Sequence, residues 1–556
     1  MKKIRVFSLV MVLLLAFATL LACQPIPDPD DEDIDENKTQ LYVYVAKWGF
    51  GTEWFKKSKQ AYEELNKDRV FEQGKKGIQI IPQYRQDNLG VSPIKSDTIN
   101  EVFFLEGVPY YSYYTEGLFA DITDYIKGEN PYEKGVSIES KMSQQQKDGL
   151  NIDGKYYAVP GYSGSYGLIY NAELFDQYNW YFNAGGELIC EARVKDKTKG
   201  PGPNGIPGDY DDGLPQTYDQ FFKLCDKIAA YQDFTPVSWP GTYAAQHLEG
   251  LLNTLVADYE GAENISRRIN FSGSENLASV VDGNLVLDNG KVVTDSTATN
   301  FNNQNGYEVF RQAGNYYGLS FIEKLIKTEK YRNEKTAFGT YNQREAQDDF
   351  IYAGKDGKGR MIPAMLVDGD WWQSEASDTF DATEQYGTKY QRNFKYMPLP
   401  KATADQIGSR SCNIDFDFAY SFVSSNTAKE KVAIAADFIQ FVHTNEQMVQ
   451  FTKTTNTIKA LSYTMTDEDL AELTPYGKSL FEYKKSGMSD TIILTGSNAK
   501  FLTYFGSIKK PYTAKYKTDK GTLTYSPVQA FRDIPDQANA QNYFVNMYEY
   551  WQEIWK

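Results

Sequence analysis

The sequence predicts an α/β protein folded as two lobes or more, on three observations. Its 556 residues exceed what one compact hydrophobic core organises. Residues 40 to 84 read as strand, helix, strand, the opening of a lobe built on a parallel sheet. Pro160-Gly161 then separates two β-rich runs, a break suited to a crossing between lobes.

Each element has its own signature. "QLYVYVA" (40–46) alternates as a strand. In "TEWFKKSKQAYEELN", Trp54, Ser58, Ala61, Tyr62 and Leu65 recur on one helical face, and "GIQIIPQY" (77–84) is the second strand. "EVFFL" (101–105) is a third, followed by "LFADITDYI". Thr217 and Gln220 stand in capping-box spacing at the head of "TYDQFFKLCDKIAAY", whose Cys225 falls on the apolar face. "RMIPAMLVDGDWW" is a strand running into a turn. "SNTAKEKVAIAADFIQFVHTNEQMVQF" reads as one long helix, capped by Thr427 and Glu430, with Val432, Ala435, Ala436, Ile439 and Val442 inward. The terminal "YFVNMYEYWQEIWK" spaces its aromatics for docking on the body. Residues 255 to 345 mix helix with polar loop in no readable order.

Composition narrows the chemistry. A net charge of −16 with no Lys/Arg run in the body argues against nucleic acid, since neutralising phosphates needs clustered positive charge. Two histidines, His247 and His443, leave little material for a His-ligated zinc or a histidine-based nucleophile. Aromatics reach 15%, with 42 tyrosines, each offering a flat apolar face and a hydroxyl.

The N-terminus reads as an export signal. Lys2, Lys3 and Arg5 precede an apolar run from Val6 to Ala22, short for a membrane span. "LLAC" resembles the bacterial lipobox, which makes Cys23 the candidate lipidated residue. "QPIPDPDDEDIDEN" (24–37) carries three prolines, seven acids and no base, so it is expected to form an extended tether. Removing residues 1–22 takes three positive charges with it. The reading is a lipid-anchored protein on the outer face of a bacterial membrane. Cys190, Cys225 and Cys412 remain, an odd count from which no pairing follows.

Six stretches, in order, resemble the extracellular solute-binding proteins of bacterial ABC importers, the group that includes the maltose-binding protein. They are the signal with "LLAC"; "NEVFFLEGVPYYSYYTEGLFADITDYI"; "IDGKYYAVP"; "GLIYNAELF" with "LPQTYDQFFKLCDKI"; "AMLVDGDWW"; and "AIAADFIQFVHTNEQMVQF". The C-terminal ninety or so residues match poorly. The resemblance implies a periplasmic-binding-protein-like fold of type II, two α/β lobes hinged around a ligand cleft. The first lobe would hold residues 41–160 plus 420–460, and the second 161–419 plus 461–556. Crossings are expected near Pro160, "NIDFDFAYS" and "TIKALSY".

Cleft positions carried over from the resemblance are Lys47 and Trp48 after the first strand, Glu106 and Tyr110 after the third, and Tyr162 past the first crossing. Trp239 and Tyr243 fall in "SWPGTYAAQH", similar to a loop that offers an aromatic to sugar. Trp371 matches the tryptophan after the glycine turn, on which a sugar ring can stack, and Asp370 precedes it. Here the pattern is departed from: Glu101 replaces an aspartate, and no tryptophan ends the loop after the third strand. The chemistry suits a pyranose, with apolar C–H faces for flat rings and a polar rim for carboxylates and amides. Trp372, pointing away from Trp371 if the chain is extended, is assigned to the core.

An inserted turn, "GPGPNGIPGDYDDGLP" (200–215), gathers Asn204, Asp209, Asp211 and Asp212, hard oxygen ligands suited to structural calcium, with a solvated acidic turn as the plainer reading. It is not an EF-hand, because the spacing differs and no glutamate closes it. No other cofactor is expected. The function expected is a monomeric receptor that captures a sugar or oligosaccharide and presents it to ABC permease subunits. Alternatives are a same-fold receptor for a peptide or other polar solute, a carboxylate-pair glycoside hydrolase, and a scaffold without ligand.

Overall fold

The computed structural model describes residues 33–555, apart from 48, 87–88, 272–275, 282–283, 295, 335, 356–360, 384–391, 416–418, 506–511 and 520. The signal segment, Cys23 and Trp48 therefore lie outside the described residues.

Two separate mixed sheets organise the chain. In the first, Thr39–Ala46 runs parallel to Ile78–Arg85 on one side and Val102–Leu105 on the other. Tyr420–Val423 joins antiparallel to Val102–Leu105, and Ala158–Pro160 closes the edge. Register sets Leu41 beside Ile80 and Val43 beside Val102, all fully buried or nearly so. The second sheet runs Phe394–Met397, Tyr166–Asn171, Ile362–Gly369, Phe234–Ser238. Ile362–Gly369 is buried on both faces beyond its first residue, as expected of a strand central to a covered sheet.

Pro160-Gly161 does carry the chain from one sheet toward the other. Past it, Tyr162–Ser163 pairs antiparallel with Ile458–Lys459, a short ribbon joining two of the expected crossings. The third, near "NIDFDFAYS", lies partly outside the described residues.

The helices follow the apolar patterns with local corrections. Glu53–Leu65 buries Trp54, Phe55, Ser58 and Tyr62, while Leu65, expected on the same face, is 61% exposed. The Tyr62 hydroxyl donates to Asp437 at 2.5 Å, so this helix is pinned to Lys429–Val442. The long helix expected over 427–451 breaks at His443. Thr444 caps a second helix, Asn445–Thr455, by accepting from the Gln447 N–H. Thr427 caps nothing there; its hydroxyl reaches the Glu101 carbonyl and Ala428 occupies the N-cap. At Tyr218–Ala229 the Thr217 cap forms, and Gln220 reaches the Gln216 N–H. Cys225 is buried in that helix, and among the described residues Cys190, Cys225 and Cys412 are all unpaired.

The 255–345 region is led by Ala244–Asn270, a long helix kinked at Gly261, whose φ of +77° leaves the helical range. The C-terminal helix Ala540–Ile554 buries Tyr543, Phe544, Met547 and Trp551 against the second-sheet core. Its Trp551 stacks on Phe310 at 4.7 Å. No helix among the described residues is long and apolar enough to cross a membrane.

Candidate functional site

The turn at 368–372 follows directly from its residues. Gly369 ends the Ile362–Gly369 strand, and the chain enters a helical turn, Trp372–Glu375, with Trp371 at its N-cap. Successive side chains are then separated by the helical rotation of about 100° rather than by strand alternation. This corrects the extended geometry expected at this point while still sending the two indoles to different places.

Trp372 is wholly buried. Phe350, Phe380, Phe394 and Tyr476 surround it with ring centroids 5.4 to 5.7 Å away. Trp371 is only partly buried, and its ring lies against three glycines. A Cβ on Gly369 would come within 2.3 Å of it, on Gly49 within 2.9 Å, and on Gly164 within 3.2 Å. Gly49 belongs to the turn that follows the first strand of the first sheet, whereas Gly164 and Gly369 flank strands of the second. The indole therefore lies at a seam between the turn after the first strand of one sheet and strand ends of the other.

Tyr166 meets the Trp371 ring edge-on at 5.3 Å and itself rests against His247, also at 5.3 Å. Gly250 lets the Ala244–Asn270 helix approach Tyr166, since a Cβ there would fall 2.3 Å from the ring. Gln246 Nε2 donates to the Tyr166 hydroxyl at 2.8 Å, and His247 Nε2 lies 3.4 Å from Asp368, which also accepts from Gln347 at 3.1 Å. Gln246, beside Tyr166, and Tyr243, whose carbonyl lies 3.2 Å from His247 Nδ1, are both exposed.

The other carried-over positions divide. Tyr162 is buried edge-on against Phe50 at 4.0 Å, beside Gly164. Lys47 is half-buried, with its ammonium 5.6 Å from the Tyr84 ring centre. Glu106 is half-buried next to exposed Gly107. Tyr243 is 42% exposed. Two aromatic positions are placed inside rather than at a cleft wall. Tyr110 is buried, stacks on Phe119 and donates to the Leu150 carbonyl at 2.8 Å. Trp239 is buried, its Nε1–H donating to Ala337 O at 2.7 Å. In each case the polar group of the ring is taken up by backbone, which fixes it as core.

Asp370 is likewise interior. Lys484 Nζ donates to its carboxylate and to the Ser163 hydroxyl at 3.0 Å, and the Ser165 N–H donates to Asp370 Oδ1 at 3.1 Å. Burial pushes the Asp370 carboxyl up, and Lys484 opposes the shift. The pair secures the Trp371 turn to the Pro475–Lys485 helix. Sequence reasoning missed Gly49, Gly164, Tyr166 and Lys484; "SGSYG" (163–167), with small residues alternating before a tyrosine, was the available signal for two of them.

A cavity of about 810 Å³ lies nearby, between Gln144–Leu150 and Ser489–Ile493. Gln145, Ser163, Asp415, Lys459 and Lys484 line it, and among the described residues no aromatic ring does. Lys459 is buried with its ammonium 4.3 Å from the Phe451 ring centre, and desolvation lowers it to about 7. Of the two places, only the Trp371 seam offers flat apolar faces beside exposed polar groups.

Asn204, Asp209, Asp211 and Asp212 converge as the sequence suggested, with carboxylate oxygens of the three aspartates within 4.8 Å of one another. Asn204 Nδ2 donates to Asp209 at 2.7 Å and its backbone N–H to Asp211 Oδ2 at 3.1 Å. Burial, with Asp209 and Asp212 adding their charge, pushes the Asp211 carboxyl up to about 8.

Comparison with known proteins agrees with this architecture. A family model described as bacterial extracellular solute-binding protein matches residues 71–470. No curated protein matches the chain. Among solved structures, a chitin oligosaccharide binding protein is 15% identical with a TM-score of 0.53, covering 93% of this chain and 99% of that one. RafE in complex with raffinose is 13% identical with a TM-score of 0.51, covering 93% and 100%. Maltose-bound MalE3 of T. maritima is 13% identical with a TM-score of 0.52 over the same shares. At these identities the likeness shows a common fold. With the family match spanning most of its length, the chain belongs to the bacterial extracellular solute-binding proteins.

Proposed function

We propose that the protein is a lipid-anchored receptor that captures a sugar or oligosaccharide at the Trp371 seam by hinge closure and hands it to the permease of an ABC importer. The observation that carries the reading is the position of the Trp371 indole, partly open and touching glycines from both sides of the seam. A ring placed there can stack on a pyranose face in one lobe while the other lobe closes over it. Tyr166 extends the apolar wall, and Tyr243 and Gln246 offer hydroxyl and amide groups for sugar hydroxyls. The solved structures of similar fold named for chitin oligosaccharide, raffinose and maltose support a carbohydrate over a peptide.

Lipid anchoring rests on "LLAC" and the acidic tether that follows it. The test incubates the purified protein with a glycan panel and measures binding heat together with release of reducing sugar. Binding without turnover is expected. Turnover would replace the receptor reading with a hydrolase, and a peptide response without a glycan response would reassign the ligand.

A further inference from the structure

We infer that the 202–213 loop is a structural calcium site built on Asp209, Asp211 and Asp212. Three carboxylates gathered on a surface turn would by themselves be an ordinary acidic loop. The distinguishing observation is Asp211. Its side chain is fully buried, with 0% of its surface exposed, and its Oδ1 has no hydrogen-bond partner. Oδ1 of Asp212 is also buried and unpartnered. A buried carboxylate oxygen without a donor costs free energy unless a cation or a proton satisfies it. Here both unpartnered oxygens belong to one cluster whose ligand atoms span less than 4.8 Å.

The remaining oxygens are already oriented. Asp209 Oδ1 accepts from the Asp211 N–H at 3.2 Å, Asp212 Oδ2 accepts from the Gly208 N–H at 2.8 Å, and Asp211 Oδ2 accepts from the Asn204 N–H. Asp211 and Asp212 are thus each held by one oxygen, while Asp209 is held by both, its Oδ2 accepting from Asn204 Nδ2 at 2.7 Å; all three keep lone pairs for an ion. Gly202 is pressed against the Asp211 carboxyl, because a Cβ there would stand 2.4 Å from its carboxyl carbon. The backbone wraps the group with no room for a side chain. All-oxygen, carboxylate-rich and irregular, the set suits calcium over transition metals, which favour nitrogen and sulfur, and over magnesium, which demands near-octahedral order. Backbone carbonyls and water would complete the shell.

The loop is also placed to matter. Tyr210, between two of the ligands, meets Tyr483 edge-on at 6.4 Å, next to Lys484, which secures the Trp371 turn. An ion there stiffens a support of the glycan seam without touching it.

The experiment strips the purified full-length chain with a chelator and adds calcium or terbium alone. Calcium is expected to raise Tm by several degrees, and terbium to show emission sensitised by Tyr210. Asp211→Asn is expected to lose both responses while folding in chelator at least as well as the parent, since it removes a buried carboxylate. Should that variant fail to fold, Asp212→Asn asks the same question. An unchanged Tm with no terbium emission overturns the site, as does a full response in the folded variant. Either failure leaves the receptor reading standing, because glycan binding is measured separately.

Discussion

Trp371 and Trp372 are neighbours in the chain and should fail in opposite ways. Trp372→Ala removes a side chain that buries on the order of 200 Å² inside a cage of Phe350, Phe380, Phe394 and Tyr476. Truncations of this kind cost about 3–5 kcal/mol, which in a domain of this size lowers Tm by on the order of 10 °C. The Trp372 Nε1–H is buried beside Tyr476 without a well-formed hydrogen bond, so Trp372→Phe, which keeps an aromatic and removes that donor, should cost clearly less. Trp371→Ala gives up an edge-on contact with Tyr166 and the packing against Gly49, Gly164 and Gly369 from a partly exposed position, about 2 kcal/mol of stability. It should weaken glycan binding at least tenfold, equivalent to about 1.4 kcal/mol. The assay pairs titration calorimetry on the best glycan of the panel with thermal unfolding of all three variants. If Trp371→Ala destabilises as much as Trp372→Ala, or leaves glycan affinity unchanged, the stacking wall is refuted.

Three further outcomes are expected. Gly369→Ala pushes a methyl into the Trp371 ring, so it should lower glycan affinity while costing about 1–3 kcal/mol of stability; unchanged affinity by calorimetry would mean the ring's position is irrelevant to ligand. Asp370→Asn and Lys484→Met should each cost about 3–5 kcal/mol by stranding a buried partner, and the double variant much less than their sum; additivity in denaturant melts would show that the pair is not coupled. Burial lowers Lys459 to about 7 from an unfolded value near 10.4, so the unfolded chain binds the extra proton between those limits and folding stability gains from this residue as pH rises. Lys459→Met should therefore stabilise most at or below pH 7 and lose its advantage near pH 10.5, read as the Tm difference across pH; a constant difference would contradict the depressed ammonium.

Strands such as "QLYVYVA" and "EVFFL" are legible because apolar strand patterns need no tertiary information, whereas Phe234–Ser238, Phe394–Met397 and Tyr420–Val423 went unread. The helix over 427–451 was read as continuous because apolar spacing runs unbroken across it. What divides it is Thr444, whose hydroxyl outcompetes helix continuation by accepting the Gln447 N–H. Trp239 and Tyr110 illustrate the harder failure. A buried tryptophan donating to a carbonyl and a cleft tryptophan facing sugar carry the same letter, and only the position of Ala337 O tells them apart. Asp370 is a similar case, since its partner Lys484 lies 114 residues away and no local pattern pairs them. The acidic turn was readable because all of its groups lie within one short segment, though the unpartnered Asp211 oxygen was not.

The three glycines around Trp371 link positions that are remote in the gene. An indole at 371 bars a side chain at 369 and crowds one at 49 and 164. A lineage that exchanges the tryptophan for something smaller opens position 369, while Gly49 stays bound by its φ of +30° and Gly164 by Tyr162, whose ring lies 2.7 Å from where a Cβ would stand. Substrate preference and the freedom to carry a side chain are therefore inherited together at 369. A change of diet at this seam would leave its trace first in that glycine.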